Sequence, residues 1–255
     1  MTIFDAILLG IVQGVAEFLP ISSSGHLVLV QSLLGIKLDG VLFDTVLHMA
    51  TLAAIIVFFF KDIIHIKINE VIAIVIGTIP AVLVGLFFKD QIEFLFTSTL
   101  LVSLALMLTG GINIYTDKKL AKADDFTDQA KINWKSGLIV GLFQAFAIIP
   151  GISRSGSTVA CGVSQGLSRE HAFRFSFLLG IPAIAGAGVL QLKDLLEVPI
   201  LNIDLIPLVA GAIIAFISGL LSLIIFKYIM VKARMEIFGY YCLILGLLSI
   251  FIHLI

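Results

Sequence analysis

Residues 10–28 read GIVQGVAEFLPISSSGHLV, and residues 141–159 read GLFQAFAIIPGISRSGSTV. Laid over one another without a gap, a shift of 131 residues, they match at Gly10/Gly141, Gln13/Gln144, Ala16/Ala147, Ile21/Ile152, Ser22/Ser153, Ser24/Ser155, Gly25/Gly156 and Val28/Val159. Coincidences of Gly, Ala and Ile are common in apolar sequence; those at glutamine and serine are not. The pair marks an internal repeat. Each stretch interrupts an apolar region, about 3–35 and about 137–166, with a polar loop near its middle. The halves left over are short for a bilayer, which takes about 20 apolar residues as helix. Irregular backbone at membrane depth is tolerated only where protein or a water-filled cavity surrounds it. Both regions therefore read as re-entrant helix–loop–helix hairpins that enter and leave on one side.

The rest of the chain agrees with a membrane setting. Of 255 residues, 60% are hydrophobic and 13% charged, with mean hydropathy +1.15. A soluble domain has no use for so much apolar sequence, because its surface must face water. Six full spans are expected at about 41–60, 70–88, 98–115, 172–191, 204–226 and 237–254, each helical because a backbone in lipid must satisfy its own hydrogen bonds. The fold class expected is an all-α polytopic membrane protein of two inverted repeats, each a hairpin followed by three spans. Repeat one covers about 1–115, a polar connector about 116–136, and repeat two about 137–255, in a single membrane domain.

Three spans per repeat invert the second relative to the first. Lys61, Lys67, Lys118, Lys119, Lys122, Lys131, Lys135, Arg169, Lys227, Lys232 and Arg234 then share one side, against Lys37, Lys89 and Lys193 on the other. That bias puts the lysine-rich side in the cytoplasm and both termini outside, with the first loop entering from the outer side. MTIFDAILLG carries no Lys or Arg before its apolar run, a poor secretory signal. Cys161 and Cys242 have no metal-ligand spacing and read as small buried residues. A net charge of -1 gives no footing for a nucleic-acid partner.

Glu17, His26 and Arg154 are ionisable groups inside the broken segments, and such groups at membrane depth mark function by default. Ser22, Ser23, Ser24 and Gly25 in one loop, and Ser153, Ser155, Gly156 and Ser157 in the other, each lead into a short helix that a serine can cap. Helix N-termini favour anions, phosphate above all. Arg154 adds a planar cation suited to bidentate phosphate contact. The combination reads as a phosphate site. For reaction chemistry, Ser23 and His26 at i, i+3 would share a helical face, with Ser23 as nucleophile and His26 and Glu17 as proton handlers. His26 as nucleophile, forming a phosphohistidine, is the other reading, and the residues leave the two open. Asp44 and His48, at i, i+4, direct two more polar groups to one face, either to bind substrate or to satisfy each other in the bundle. Arg169 and Arg174 fit snorkelling to headgroups.

The stretches QGVAEFLPISSSGH (13–26), FDTVLHMATLAAIIVFF (43–59) and PGISRSGST (150–158) resemble the undecaprenyl-diphosphate phosphatase family, the integral-membrane bacitracin-resistance proteins. The resemblance covers essentially the whole chain. It implies hydrolysis of a polyprenyl diphosphate to the monophosphate and inorganic phosphate, recycling the lipid carrier for envelope glycan synthesis. The Glu/Gln-x-x-x-Glu motif falls on Gln13 and Glu17, the serine and histidine positions on Ser23, Ser24 and His26, and the second motif on Gly151, Ser153, Arg154, Ser155 and Gly156. Many members carry glutamate where this chain has Gln13, which leaves one carboxylate, Glu17, for any metal. The resemblance also implies a divalent cation, Mg or Ca, that acts mainly by chelating the diphosphate, and a homodimer among membrane lipids. The acid-phosphatase-like lipid phosphatases do not fit, because the second histidine they need six residues after the arginine would be Ala160 or Phe175. A lipid-phosphate transporter or flippase is the rival expectation, since inverted repeats with broken helices also serve alternating access.

Overall fold

A computed structural model describes residues 1–36, 42–121, 132–196, 204–231 and 234–254. Lys37, Lys122, Lys131 and Lys232, which entered the charge bias, and most of the connector lie outside the described residues. Every regular element among those described is a helix. In chain order they are α1 (Ile3–Phe18), α2 (Ser23–Leu34), α3 (Leu42–Phe58), α4 (Phe60–Ile64), α5 (Ile68–Phe87) and α6 (Lys89–Phe96). There follow α7 (Thr99–Ala121), α8 (Trp134–Phe146), α9 (Arg154–Ser164), α10 (Arg169–Leu196), α11 (Leu205–Val231) and α12 (Glu236–Leu254).

Among the described residues, α5, α7, α10, α11 and α12 contain stretches long and apolar enough to cross a membrane. The chain is an integral membrane protein. The remaining expected span, α3, has 17 residues, and a backbone bond from Phe59 to Ile55 (2.9 Å) carries its last turn on towards α4. The two broken regions are broken where the sequence says. At 1.5 Å per residue, α1 is about 24 Å long and α2, α8 and α9 are shorter, against a hydrocarbon core of about 30 Å. A capping box between Thr2 and Asp5 starts α1, and Pro20 forbids its continuation.

Three helix pairs pack backbone to backbone through glycine. A Cβ on Gly10 of α1 would lie 2.6 Å from the Gly211 carbonyl of α11; one on Gly77 of α5, 2.6 Å from the Gly137 carbonyl of α8; one on Gly110 of α7, 2.7 Å from the Gly239 carbonyl of α12. Small residues permit this approach in membranes, where dispersion and polar contacts replace the hydrophobic drive between helices. The Gly137/Gly141 spacing thus serves a contact inside the chain, against Ala73 and Gly77. Gly166 takes φ 85° in the turn after α9. The first half of each broken segment lies on a span of the opposite half, α1 on α11 and α8 on α5, so the two halves interlock. Hydroxyls add polar ties, Ser103 to Ser249 (2.7 Å) and Ser222 to the Val15 carbonyl (3.0 Å).

Between these pairs sits an aromatic core of Phe18, Phe59, Phe173, Phe177 and Phe226, with neighbouring ring centroids 4.8 to 6.1 Å apart. Arg174 does not snorkel. It donates to Asp62 (2.6 Å) and Glu70 (2.5 and 3.2 Å), tying α10 to α4 and α5, since carboxylates from those elements meet it before headgroups can.

Candidate active site

The two loops meet crosswise under α7. A Cβ on Gly25 would lie 3.2 Å from Gly151 Cα, and one on Gly156 3.2 Å from Pro20 Cβ; Gly151 and Pro20 are equivalent positions of the repeat. The Gly151 amide donates to Ser24 Oγ (3.4 Å), and Ser155 Oγ donates to the Leu19 carbonyl (3.3 Å), again from equivalent serines. Each helix that follows has the same cap, with Ser22 Oγ accepting from the Gly25 amide (3.3 Å) and Ser153 Oγ from the Gly156 amide (3.1 Å). Each capping serine also pairs with the hydroxyl two residues on, Ser22 with Ser24 and Ser153 with Ser155, both at 3.2 Å. From α7, Asn113 Nδ2 donates to the Pro20 carbonyl (2.6 Å) and Thr109 Oγ1 to the Gly151 carbonyl (2.8 Å), fixing both loops from one helix. Ser22 takes φ 70°, unique among the described non-glycine residues. Left-handed backbone at a β-carbon-bearing residue is strained, and such strain is a mark of functional loops.

Glu17 is the hub. Its Oε1 accepts from Arg154 Nη2 (2.8 Å), and its Oε2 accepts from Ser23 Oγ (2.6 Å) and Gln13 Nε2 (3.4 Å). The carboxylate is 8% exposed and the guanidinium side chain 15%, so each ion depends on the other for the solvation it has lost. The arginine is seated from two further sides: its guanidinium lies 5.7 Å from the Phe177 ring centroid, a cation–π contact. Gly180 of α10 lies directly against it, where any Cβ would collide with Nη1.

The structure does not bring His26 to Ser23. Its Nδ1 is 2.8 Å from the Ser22 carbonyl and its Nε2 2.8 Å from Tyr241 Oη, with the two rings stacked at 5.5 Å. A carbonyl only accepts, so Nδ1 carries the proton, and in the neutral imidazole Nε2 then accepts from the tyrosine hydroxyl. Although both residues lie in the first turn of α2, each side chain is taken by a partner from another helix, Ser23 Oγ by Glu17 of α1 and His26 Nε2 by Tyr241 of α12. Another histidine faces the hub instead. His48 Nε2 is 3.9 Å from Glu17 Oε2, while its Nδ1 bonds the Asp44 carbonyl (2.8 Å). Asp44 and His48 thus do not satisfy each other through their side chains.

Glu17, Ser22, Ser23, Ser24, Ser153 and Arg154 line one cavity of about 560 Å³, together with His48 and Gln144 and an apolar wall from α5 and α10. Gln13, Gly25, Gly151, Ser155 and Gly156, also expected at the site, stand behind this lining as capping, packing or bracing residues; Gln13 reaches both Glu17 and Thr51 (3.5 Å). Ser157, expected there too, is buried outside the lining, and its hydroxyl has no partner among the described residues. The donor set does not fit a resident divalent cation. Arg154 occupies one oxygen of Glu17, Ser23 and Gln13 the other, position 13 is an amide, and the described residues hold no group of three metal-ligating His, Cys, Asp or Glu side chains.

A cavity where a buried guanidinium and two helix N-termini converge, at the junction of two broken helices in a membrane protein, has the chemistry of an anion site, phosphate above all. The sequence matches the family described as Bacitracin resistance protein BacA over residues 6–248, and the chain belongs to that family. It is similar to the undecaprenyl-diphosphatase of Methanosphaera stadtmanae, 41% identical over all of this chain and 99% of that protein. It is similar also to the undecaprenyl-diphosphatases of Halothermothrix orenii, 41% identical over 98% of both chains, and of Rhodopirellula baltica, 42% identical over 97% of both.

Sequence reasoning missed Thr109, Asn113, Phe177, Gly180 and Tyr241. An asparagine within an apolar span was a legible signal. A phenylalanine, a tyrosine and a glycine in such spans carry none.

Proposed function

We propose that this protein hydrolyses undecaprenyl diphosphate, or a polyprenyl diphosphate of similar length, to the monophosphate and inorganic phosphate, returning the lipid carrier to envelope glycan synthesis. The observation that carries this is the Ser23–Glu17–Arg154 chain: a hydroxyl 2.6 Å from one oxygen of a buried carboxylate whose other oxygen is held by a guanidinium at 2.8 Å. Ser23 attacks the terminal phosphorus. As that bond forms, the bond from phosphorus to the bridging oxygen breaks, the polyprenyl monophosphate leaves, and the serine proton passes to Glu17. Water then attacks the phosphoserine, inorganic phosphate departs, and Ser23 recovers its proton. Arg154 and the free N–H groups of α2 and α9 stabilise the charge on the phosphoryl oxygens in flight. Both ring nitrogens of His26 are engaged and the ring is absent from the cavity wall, which supports Ser23 as nucleophile and gives His26 the task of holding the Ser22–Ser24 loop in place.

The apolar wall formed by Ala81, Val82 and Leu86 of α5 and Ala183, Ile184 and Leu190 of α10 suits the first isoprene units. A divalent cation, Mg or Ca, enters on the diphosphate that it chelates. The two repeats are inverted, the termini lie outside, and the headgroup is handled from the outer side. Bonds that gather the lysine-rich ends on one side support the inversion: Lys227 with Glu170 (3.6 Å), Arg174 with Asp62 and Glu70, and the Met235 amide with Asp117 (2.8 Å); the charge bias supports the orientation.

The test is inorganic phosphate release from a polyprenyl diphosphate by protein purified in detergent. Wild type releases phosphate, and Ser23→Ala falls by at least about a thousandfold. Tyr241→Phe, which removes one hydrogen bond to an intact imidazole, falls by only about fivefold. Wild-type rates from Ser23→Ala overturn the nucleophile; no release from folded wild type with Mg or Ca present overturns the function.

A further inference from the structure

Gln144 stands at the position of the second repeat that matches Gln13 of the first, yet the two amides have opposite surroundings. The Gln13 amide reaches Glu17 at 3.4 Å and Thr51 at 3.5 Å. Gln144 is 2% exposed and lines the cavity, but neither its Oε1 nor its Nε2 has a hydrogen-bond partner among the described residues. A buried amide with both ends unmet is costly to fold, and native proteins keep very few of them. A place in the wall of a cavity that Ala81, Val82 and Leu86 also line does not require an amide; leucine or methionine would fill the same volume with no polar group to satisfy.

We propose that Gln144 is a direct ligand of the diphosphate headgroup, donating from Nε2 to a phosphate oxygen while Oε1 accepts from a phosphate hydroxyl. The reading rests on the phosphatase function proposed above. Gln144 projects from α8, the helix that leads into the Arg154 loop, so one hairpin supplies both the cation and the neutral donor. An uncharged donor suits this place. Arg154 already compensates Glu17, and a second cation would compete for that carboxylate, whereas an amide binds an anion without disturbing the Arg154–Glu17 pair.

A ligand-contacting amide and a structural one give opposite signatures. Full-length protein in detergent is compared as wild type, Gln144→Leu and Gln144→Met, with KM and kcat measured for phosphate release from a polyprenyl diphosphate. Thermal unfolding is followed with and without methylenediphosphonate, a non-hydrolysable diphosphate. The expected result for either variant is an unchanged or raised Tm, a KM raised about ten- to a hundredfold, a kcat within a few-fold of wild type, and loss of the stabilisation that methylenediphosphonate gives the wild type. Unchanged KM, or a loss confined to kcat, overturns the assignment, as does a Tm lowered in both variants with stabilisation by methylenediphosphonate retained. If wild type binds methylenediphosphonate and Gln144→Leu does not, but no phosphate is released by either, the phosphatase reading fails while the binding role of Gln144 stands.

Discussion

The two loops share a backbone plan and differ in their cargo of side chains. Both place a serine cap three residues before a glycine, both pair that serine with the next but one, and both lie against the other through equivalent positions. At the first residue of the helix that follows, one carries Ser23 and the other Arg154. These equivalent residues bond the two oxygens of one carboxylate, Glu17, whose own counterpart in the second repeat is Ile148. Two like loops would make a symmetric anion cradle with no means of directing a reaction. Unlike side chains on a like frame put a hydroxyl on one side of Glu17 and a cation on the other.

Making the loops alike should break the site. Arg154→Ser, which writes the first loop's residue into the second, is expected to lower kcat/KM for phosphate release on the order of a thousandfold. It also leaves Glu17 buried without its cation, so the Tm should fall with it, whereas Arg154→Lys restores part of the stability but little of the rate, having no planar fork. A smaller effect is expected from Gly180→Ala. Its methyl occupies the seat of the guanidinium, and a displacement of that kind should cost about ten- to a hundredfold in kcat/KM with the protein still folded. Wild-type kinetics in Gly180→Ala would show that Arg154 need not lie where the structure has it. The mildest change sharpens the contrast between the loops. Gln13→Glu adds a second carboxylate beside Glu17, so the dependence of rate on Mg or Ca should move to lower concentration, by up to about tenfold. An unchanged metal titration would mean that the cation never approaches these side chains.

Much of this was legible because it is local. The repeat, the broken helices, the serine caps and the significance of Glu17 and Arg154 at membrane depth follow from residue type and spacing. The same kind of spacing suggests a partnership of Ser23 with His26, and the structure does not make it: the two share the first turn of α2, but Glu17 of α1 takes the hydroxyl and Tyr241 of α12 takes the imidazole. Which side chain meets Glu17 across 137 residues of chain is decided by how α1 and α9 cross, and spacing carries no information on that. The seats of Arg154 on Phe177 and Gly180, and of His26 on Tyr241, belong to α10 and α12 and were invisible for the same reason.

The sequence by itself determined that this is a helical membrane protein with two related, interrupted segments, each capped by serine and holding charge between them, because hydropathy, capping and the cost of buried charge act within a few residues of their source. Only the tertiary structure decided that one loop contributes the hydroxyl and the other the cation to a single carboxylate, that His48 rather than His26 faces the hub, and that one of two matched glutamines is left unmet beside the cavity. Those outcomes depend on the crossing of helices far apart in the chain, where close glycine packing sets the distances and each buried polar group takes whatever partner the crossing brings.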